Sequence, residues 1–355
     1  MTERQKESFQ YIATADLPTR FTSVGGANAT INSTSGRRGT GALSLSTPNV
    51  TRTGYVNRTF DAQPTWTIGF AFSYNTASTA SALPVLTLLD TGTVQVDYRL
   101  NADGTISVTR NGTLLGTSTA ALSANIYYFI EFKTTINNAT GSYEVRVTGG
   151  GLGSSGAGLN ILSATNVNTR NTTNNSANSY QLGNSTVSAS GTTTYIIHDL
   201  IVRDGTGTDN SFTNDLRVDS YLPSGNGNYS QWTNTAGNST NNYTYVNDAA
   251  PNGDTTTVSA ASINLIDTYQ HTAMTHTPTS IISVSIGITN KKSDAGAATL
   301  APVIRIGAVD FIGTITSPSV SYSYSETNYL TSPATLAAWT RTELNAAEIG
   351  QKRIL

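Results

Sequence analysis

Cysteine is absent from this sequence of 355 residues. That excludes disulfides, thiolate metal sites and thiol nucleophiles, and it leaves the redox compartment open. Charge is also scarce. Asp, Glu, Lys and Arg make up 12% of the chain, about half the usual share. Long helices need such residues on their solvent faces, so composition argues against a helical fold. The 20 basic and 22 acidic residues are spread thinly and leave a net charge of −2. With no basic stripe and no polybasic segment, neither a nucleic-acid partner nor an anionic membrane surface is expected. No apolar run approaches the roughly 18 residues of a membrane span. The opening Met-Thr-Glu-Arg-Gln-Lys has no apolar segment behind it and does not read as a secretory signal. The Asn-x-Thr/Ser triplets at Asn28, Asn57, Asn111 and Asn138 are therefore expected by chance in so Asn- and Thr-rich a chain.

What replaces the missing charge is Thr, Ser, Asn and Gly, set among Val, Ile and Tyr: pleated strands joined by tight turns. Period-2 patterning is clearest at Trp66–Tyr74, where Trp66, Ile68, Phe70, Phe72 and Tyr74 alternate with Thr67, Gly69, Ala71 and Ser73. Further strands are expected at Leu83–Leu89, Val94–Leu100, Thr105–Arg110, Tyr127–Ile136, Tyr143–Val147 and Tyr195–Val202. The turns Asn101–Gly104 and Asn111–Gly112 mark hairpins of an antiparallel meander. Residues 149–158 and 165–179 read as long loops. Leu216–Val218 reads as a short strand inside a turn-rich boundary. Beyond it, Ile281–Ile288, Val303–Ile306, Phe311–Ile315 and Val320–Tyr324 read as strands. Thr340 and Glu343 form a capping box for one short helix, with Gly350 as its stop. The expectation is an all-β protein of two antiparallel, jelly-roll-like β-sandwiches with one short C-terminal helix. The first domain spans residues 1–205, a linker 206–226, and the second domain 227–355.

Residues that could carry chemistry are few, and no catalytic residue is assigned. His198 adjoins Asp199 in a strand, where neighbours point to opposite faces, so a His–Asp dyad is not expected. His271 and His276 lack zinc-site spacing. Glu131 and Glu144 alternate with Lys133 and Arg146 on neighbouring strands, the pattern of cross-strand ion pairs on a solvated face rather than of a hydrolytic carboxylate pair. No phosphate-binding or nucleophile-elbow motif is present, and no organic cofactor is expected. Calcium is the one ion with a candidate site, at Asp204 and Asp209 in a Gly-rich loop. Tyr229, Trp232, Tyr243 and Tyr245 lie close together in a polar stretch and are candidates for an interface, core packing or glycan stacking.

A resemblance extends over nearly the whole chain. Glu7-Ser-Phe-Gln-Tyr11, Gly36-Arg-Arg-Gly-Thr-Gly41, Trp66-Thr-Ile-Gly-Phe70 and Leu100-Asn-Ala-Asp-Gly-Thr-Ile-Ser-Val108 resemble the laminin-G/concanavalin-A-like sandwich. So do Tyr128-Phe-Ile-Glu-Phe132, Thr140-Gly-Ser-Tyr-Glu-Val-Arg-Val147 and Ile197-His-Asp-Leu-Ile-Val-Arg-Asp204. The order in which Asn214–Val218, Gln231–Thr233, Asn242–Asn247, Asp254–Val258 and Ala338–Ala346 follow is similar to tailed-phage virion proteins. The resemblance implies a non-enzymatic building block of a virion, either capsid decoration or a tail appendage, assembled in a bacterial cytoplasm. Its implied partners are other virion proteins and copies of itself. A module binding a host surface glycan is the alternative, and a glycan hydrolase comes after it.

Overall fold

The computed structural model describes residues 2–47, 53–79, 81–153, 158–185, 192–207 and 211–355. The chain divides into two compact units, Met1–Asp219 and Ser220–Leu355. Both are built from antiparallel strands, so the molecule is all-β.

Two sheets make the first unit. In spatial order, one runs Leu159–Val167, Gly141–Thr148, Tyr128–Thr135, Thr65–Tyr74, Thr193–Asp204, Ala42–Thr47 and Ala29–Asn32, with Glu3–Glu7 paired to the end of Thr193–Asp204. The other runs Thr113–Ala121, Thr105–Arg110, Thr93–Leu100, Leu83–Asp90, Ala177–Asn184, Gly54–Gln63 and Ser23–Gly25. One continuous apolar core fills the space between them. All five large residues of the 66–74 alternation lie in it, as period-2 geometry requires. Aromatic pairs bridge the layers: the Tyr98 and Phe132 rings lie 4.7 Å apart, and Trp66 Nε1 donates to the Ala177 carbonyl at 3.0 Å. The Asn111–Gly112 turn joins its two strands with positive φ at both residues, the geometry an Asn-Gly hairpin provides at little cost.

Leu216–Val218 is not a strand. Residues 211–218 instead lie as a strap on the outer face of the first sheet, where Leu216 packs on Ala71, Phe129 and Ile201. Two buried carboxylates hold it. Glu131 accepts from the Thr213 and Asn214 backbone at 2.7 and 2.8 Å, and Asp199 accepts from Val218 N at 2.8 Å. The small odd-numbered residues of the 66–74 strand leave room for this covering. Glu131 is therefore not on a solvated face: it is 2% exposed. Glu144 keeps a half-buried pair, with Arg146 on its own strand at 2.6 Å.

The second unit contains a five-stranded sheet ordered Pro223–Ser230, Ile266–His271, Glu348–Arg353, Leu300–Ile306 and Val309–Ile312. A two-stranded ribbon, Val284–Asn290 with Ser323–Tyr329, packs on it through Ile286, Ile304, Trp339 and Ala347. Ile282, placed by alternation on the buried side of a strand, is 40% exposed because the strand begins only at Val284. The helix forms at Arg341–Ala346, with Thr340 Oγ1 accepting from Glu343 N at 3.1 Å. Gly350 does not stop it. The helix ends at Ala346, and Gly350 lies within the strand Glu348–Arg353, where a Cβ would meet the Asp267 carbonyl at 1.9 Å.

Candidate functional site

In the first unit, the face of the second sheet turned away from the core carries a continuous polar row, of which Ser23 and Asn57 reach solvent while Gln181, Thr87, Asp97 and Thr109 are buried. Pairing registers place Ser23, Asn57, Gln181, Thr87, Asp97 and Thr109 side by side across six strands. Their sequence neighbours Val56, Leu182, Leu88, Val96 and Val108 point into the core, so alternation turns the row outward. At the usual interstrand spacing the row is roughly 24 Å long. A parallel row supplies Thr59, Ser179 and Leu89.

A groove of about 490 Å³ lies over the Ser23–Asn57–Gln181 end of the row. Its described lining is hydroxyl, amide and aliphatic, with Tyr55 the one titratable side chain. Tyr55 has its place because Gly25 lies opposite it: a Cβ there would fall 1.9 Å from the ring. The far wall is formed by Thr91 and Gly92 and backed by a tightly bonded segment. Gln95, fully buried, donates to Thr172 Oγ1 at 2.8 Å and to the Ser176 carbonyl at 2.9 Å, and it accepts from Asn171 N at 2.6 Å. Asp90 accepts from Thr172 and Asn174, and Asn178 accepts from Thr91 N at 2.9 Å. The Asn/Thr-rich run expected to be a loose loop is thus fastened down, and its last residues enter a strand.

At the other end of the row Asp97 is 2% exposed. It accepts from Thr109 Oγ1 and from Arg99 Nε, the latter at 2.7 Å. Arg99 also donates to the Ala82 carbonyl at 3.4 Å. Carboxylate and guanidinium offset one another, so the described face is close to charge-neutral. No motif announces Asn57, Gln181 or Asp97 in the sequence, because an outward polar residue in a strand reads as an ordinary solvated face.

The sequence-derived candidates fare differently. Asp204 is buried and bonded to Arg4 Nε at 2.5 Å and to Thr206 N at 2.8 Å. Asp209 lies outside the described residues. Among the described residues no cluster of His, Cys, Asp or Glu could hold a metal ion. Trp232 is buried, with Nε1 donating to Leu265 O at 3.0 Å. Tyr229 stacks with Arg305, whose guanidinium carbon lies 5.1 Å from the ring centre. Tyr243 and Tyr245 are half-buried on the turn Asn242–Tyr245. The buried Asn242 anchors that turn, donating to Asp267 at 2.6 Å and to the Trp232 carbonyl at 2.8 Å.

His198 and Asp199 do meet. A bulge between His198 and Ile201, with Asp199 at φ 54°, turns both side chains to one side. His198 Nδ1 lies 2.9 Å from Asp199 Oδ1, and Nε2 lies 2.9 Å from Thr40 Oγ1. Alternation alone had excluded this contact. The imidazole is wholly buried under Gly36, where even a Cβ would crowd it at 2.7 Å. Asp199 is bound to Arg37 and Arg38 at 2.8 and 2.7 Å. The arrangement holds the strap and leaves no opening for a substrate.

No family model and no curated protein matches this chain. Solved structures similar to it include the polysaccharide lyase family 7 alginate lyase AlgAT5, at 10% identity and TM-score 0.36, covering 52% of this chain and 85% of that one. The alginate lyase A1-II′ matches at 13% identity and TM-score 0.36, covering 56% and 93%. A GH131 β-glucanase catalytic domain from Podospora anserina matches at 10% identity and TM-score 0.37, covering 55% and 93%. The two facing antiparallel sheets of the first unit make it a β-sandwich. The expectation of a non-enzymatic virion building block is corrected by these neighbours: those named are glycan-degrading enzymes, and none is a virion protein. At these identities and TM-scores the likeness assigns no activity.

Proposed function

We propose that this protein acts on polysaccharide, binding a glycan chain on the outward face of the second sheet. The observation that carries the reading is the groove over the Ser23–Asn57–Gln181 end of the row, where hydroxyl and amide side chains from neighbouring strands line one open cleft. Saccharides are recognised by amide and hydroxyl groups, and an open cleft lined by them across strands suits a glycan chain. Affinity electrophoresis against a panel of soluble polysaccharides tests it. Retardation lost in Asn57→Ala and Gln181→Ala, both still folded, supports the reading; equal mobility on every polysaccharide sinks it.

Cleavage of the bound chain is the second reading, favoured by one titratable side chain within the groove, Tyr55. Its hydroxyl has the chemistry of a proton-transfer group, whereas Asp97 is buried and held by Arg99 and Thr109. Release of reducing or unsaturated ends from the panel, abolished in Tyr55→Phe, checks this separately from binding.

A further inference from the structure

We infer that the glycan taken by this groove is an uncharged one, a conclusion that rests on the binding face proposed above and adds the class of its ligand. The described groove lining contains no Lys, Arg or His. Its donors are the amides of Asn57 and Asn178 and the hydroxyls of Ser23, Thr59, Ser179 and Tyr55, while Gln181, whose Nε2 already donates to the Gly183 carbonyl and to Ser185 Oγ, offers its carbonyl oxygen. Such groups suit sugar hydroxyls, which both donate and accept. A polyuronate brings a carboxylate with every sugar, and removing those charges from water without a cation opposite them is costly.

Three described arginines of this sheet and of the segment behind the far wall already have partners. Arg99 is paired with Asp97 and bonded to the Ala82 carbonyl. Arg58 donates to the Arg20 carbonyl at 3.0 Å, with its guanidinium over the Phe60 ring. Arg170 is held by the Thr173 carbonyl at 3.3 Å and Asn175 at 3.2 Å. The one charge within the row, the Asp97 carboxylate, is offset by Arg99, so the row offers an acidic chain no net positive charge. This face therefore selects by charge against the polyuronate named for the alginate-lyase neighbours.

The test measures affinity of the intact protein for a neutral β-glucan, a neutral xylan, alginate and polygalacturonate, each at low and high salt. We expect neutral chains to bind at least about tenfold more tightly than acidic ones, about 1.4 kcal/mol or more, with little dependence on salt. Asn57→Lys places a cation in the groove and should bring in salt-sensitive binding of alginate. Binding of alginate by the unaltered protein as tight as that of neutral chains overturns the inference while leaving the glycan-binding face standing. Failure of the folded protein to bind any of the four overturns both.

Discussion

His198 Nδ1 and Asp199 Oδ1 lie 2.9 Å apart although the two residues are consecutive in one strand. The bulge that joins them also aims Asp199 at Arg37, Arg38 and the backbone of Val218, so one carboxylate ties two chain segments to the sheet. Replacing it removes the carboxylate from Arg38 and one of the two carboxylates on Arg37, the other being Asp215. Asp199→Asn should cost about 3–5 kcal/mol of stability, the usual penalty for breaking a buried ion pair from one side, measured by urea denaturation.

The same residue sets an acid limit. Burial by itself would raise the Asp199 carboxyl, but His198, Arg38 and Arg37 outweigh it and hold the group well below its ordinary value of 3.8. A depressed folded value means stability fully present above 3.8 and lost as pH falls toward the folded value. Thermal unfolding should therefore shift to lower temperature on acidification below pH 3.8, and Asp199→Asn should flatten that part of the profile.

Glu131 behaves in the opposite sense. Burial raises its carboxyl above the ordinary 4.5, against the lowering effect of Thr213, Asn214 and Arg203. Its folded state favours the proton, so its contribution is greatest below 4.5 and falls as pH rises through the folded value. Glu131→Gln should remove this dependence. A melting-temperature profile whose slope above pH 4.5 matches that of the unaltered protein would contradict it.

Within the groove, Asn57→Ala and Gln181→Ala each delete hydrogen-bonding groups from the polar row. Each should weaken glycan binding by about 2- to 10-fold, the value of one net hydrogen bond of about 0.5–1.5 kcal/mol, with the melting temperature little changed. Tyr243→Ala with Tyr245→Ala should leave glycan affinity unaltered. Titration calorimetry on the three variants separates the groove from the tyrosine turn.

Gly350 lies where a side chain cannot fit, 1.9 Å from the Asp267 carbonyl for a Cβ. Gly350→Ala should destabilise the second unit by about 1–3 kcal/mol, the cost of overpacking. Hydrogen exchange checks it: protection should fall at Ile266–His271 and Glu348–Arg353, the two strands forced apart.

Much of the architecture follows from the sequence itself. Alternation at Trp66–Tyr74 named a core face, Asn111–Gly112 named a hairpin, and Thr340 with Glu343 named a helix start, because each rests on neighbours within a few residues. The polar row did not follow. Period 2 says that Asn57, Gln181 and Asp97 face outward, but strand order and register, set by pairing between residues far apart in the chain, decide that they lie beside one another. The Asp199 bulge reverses a face that alternation assigns, and the strap over Glu131 buries a charge that its own strand would leave in water. Local periodicity determined the strands; long-range pairing and packing alone decided which polar groups meet, because a hydrogen-bonded ladder aligns residues that the chain holds apart.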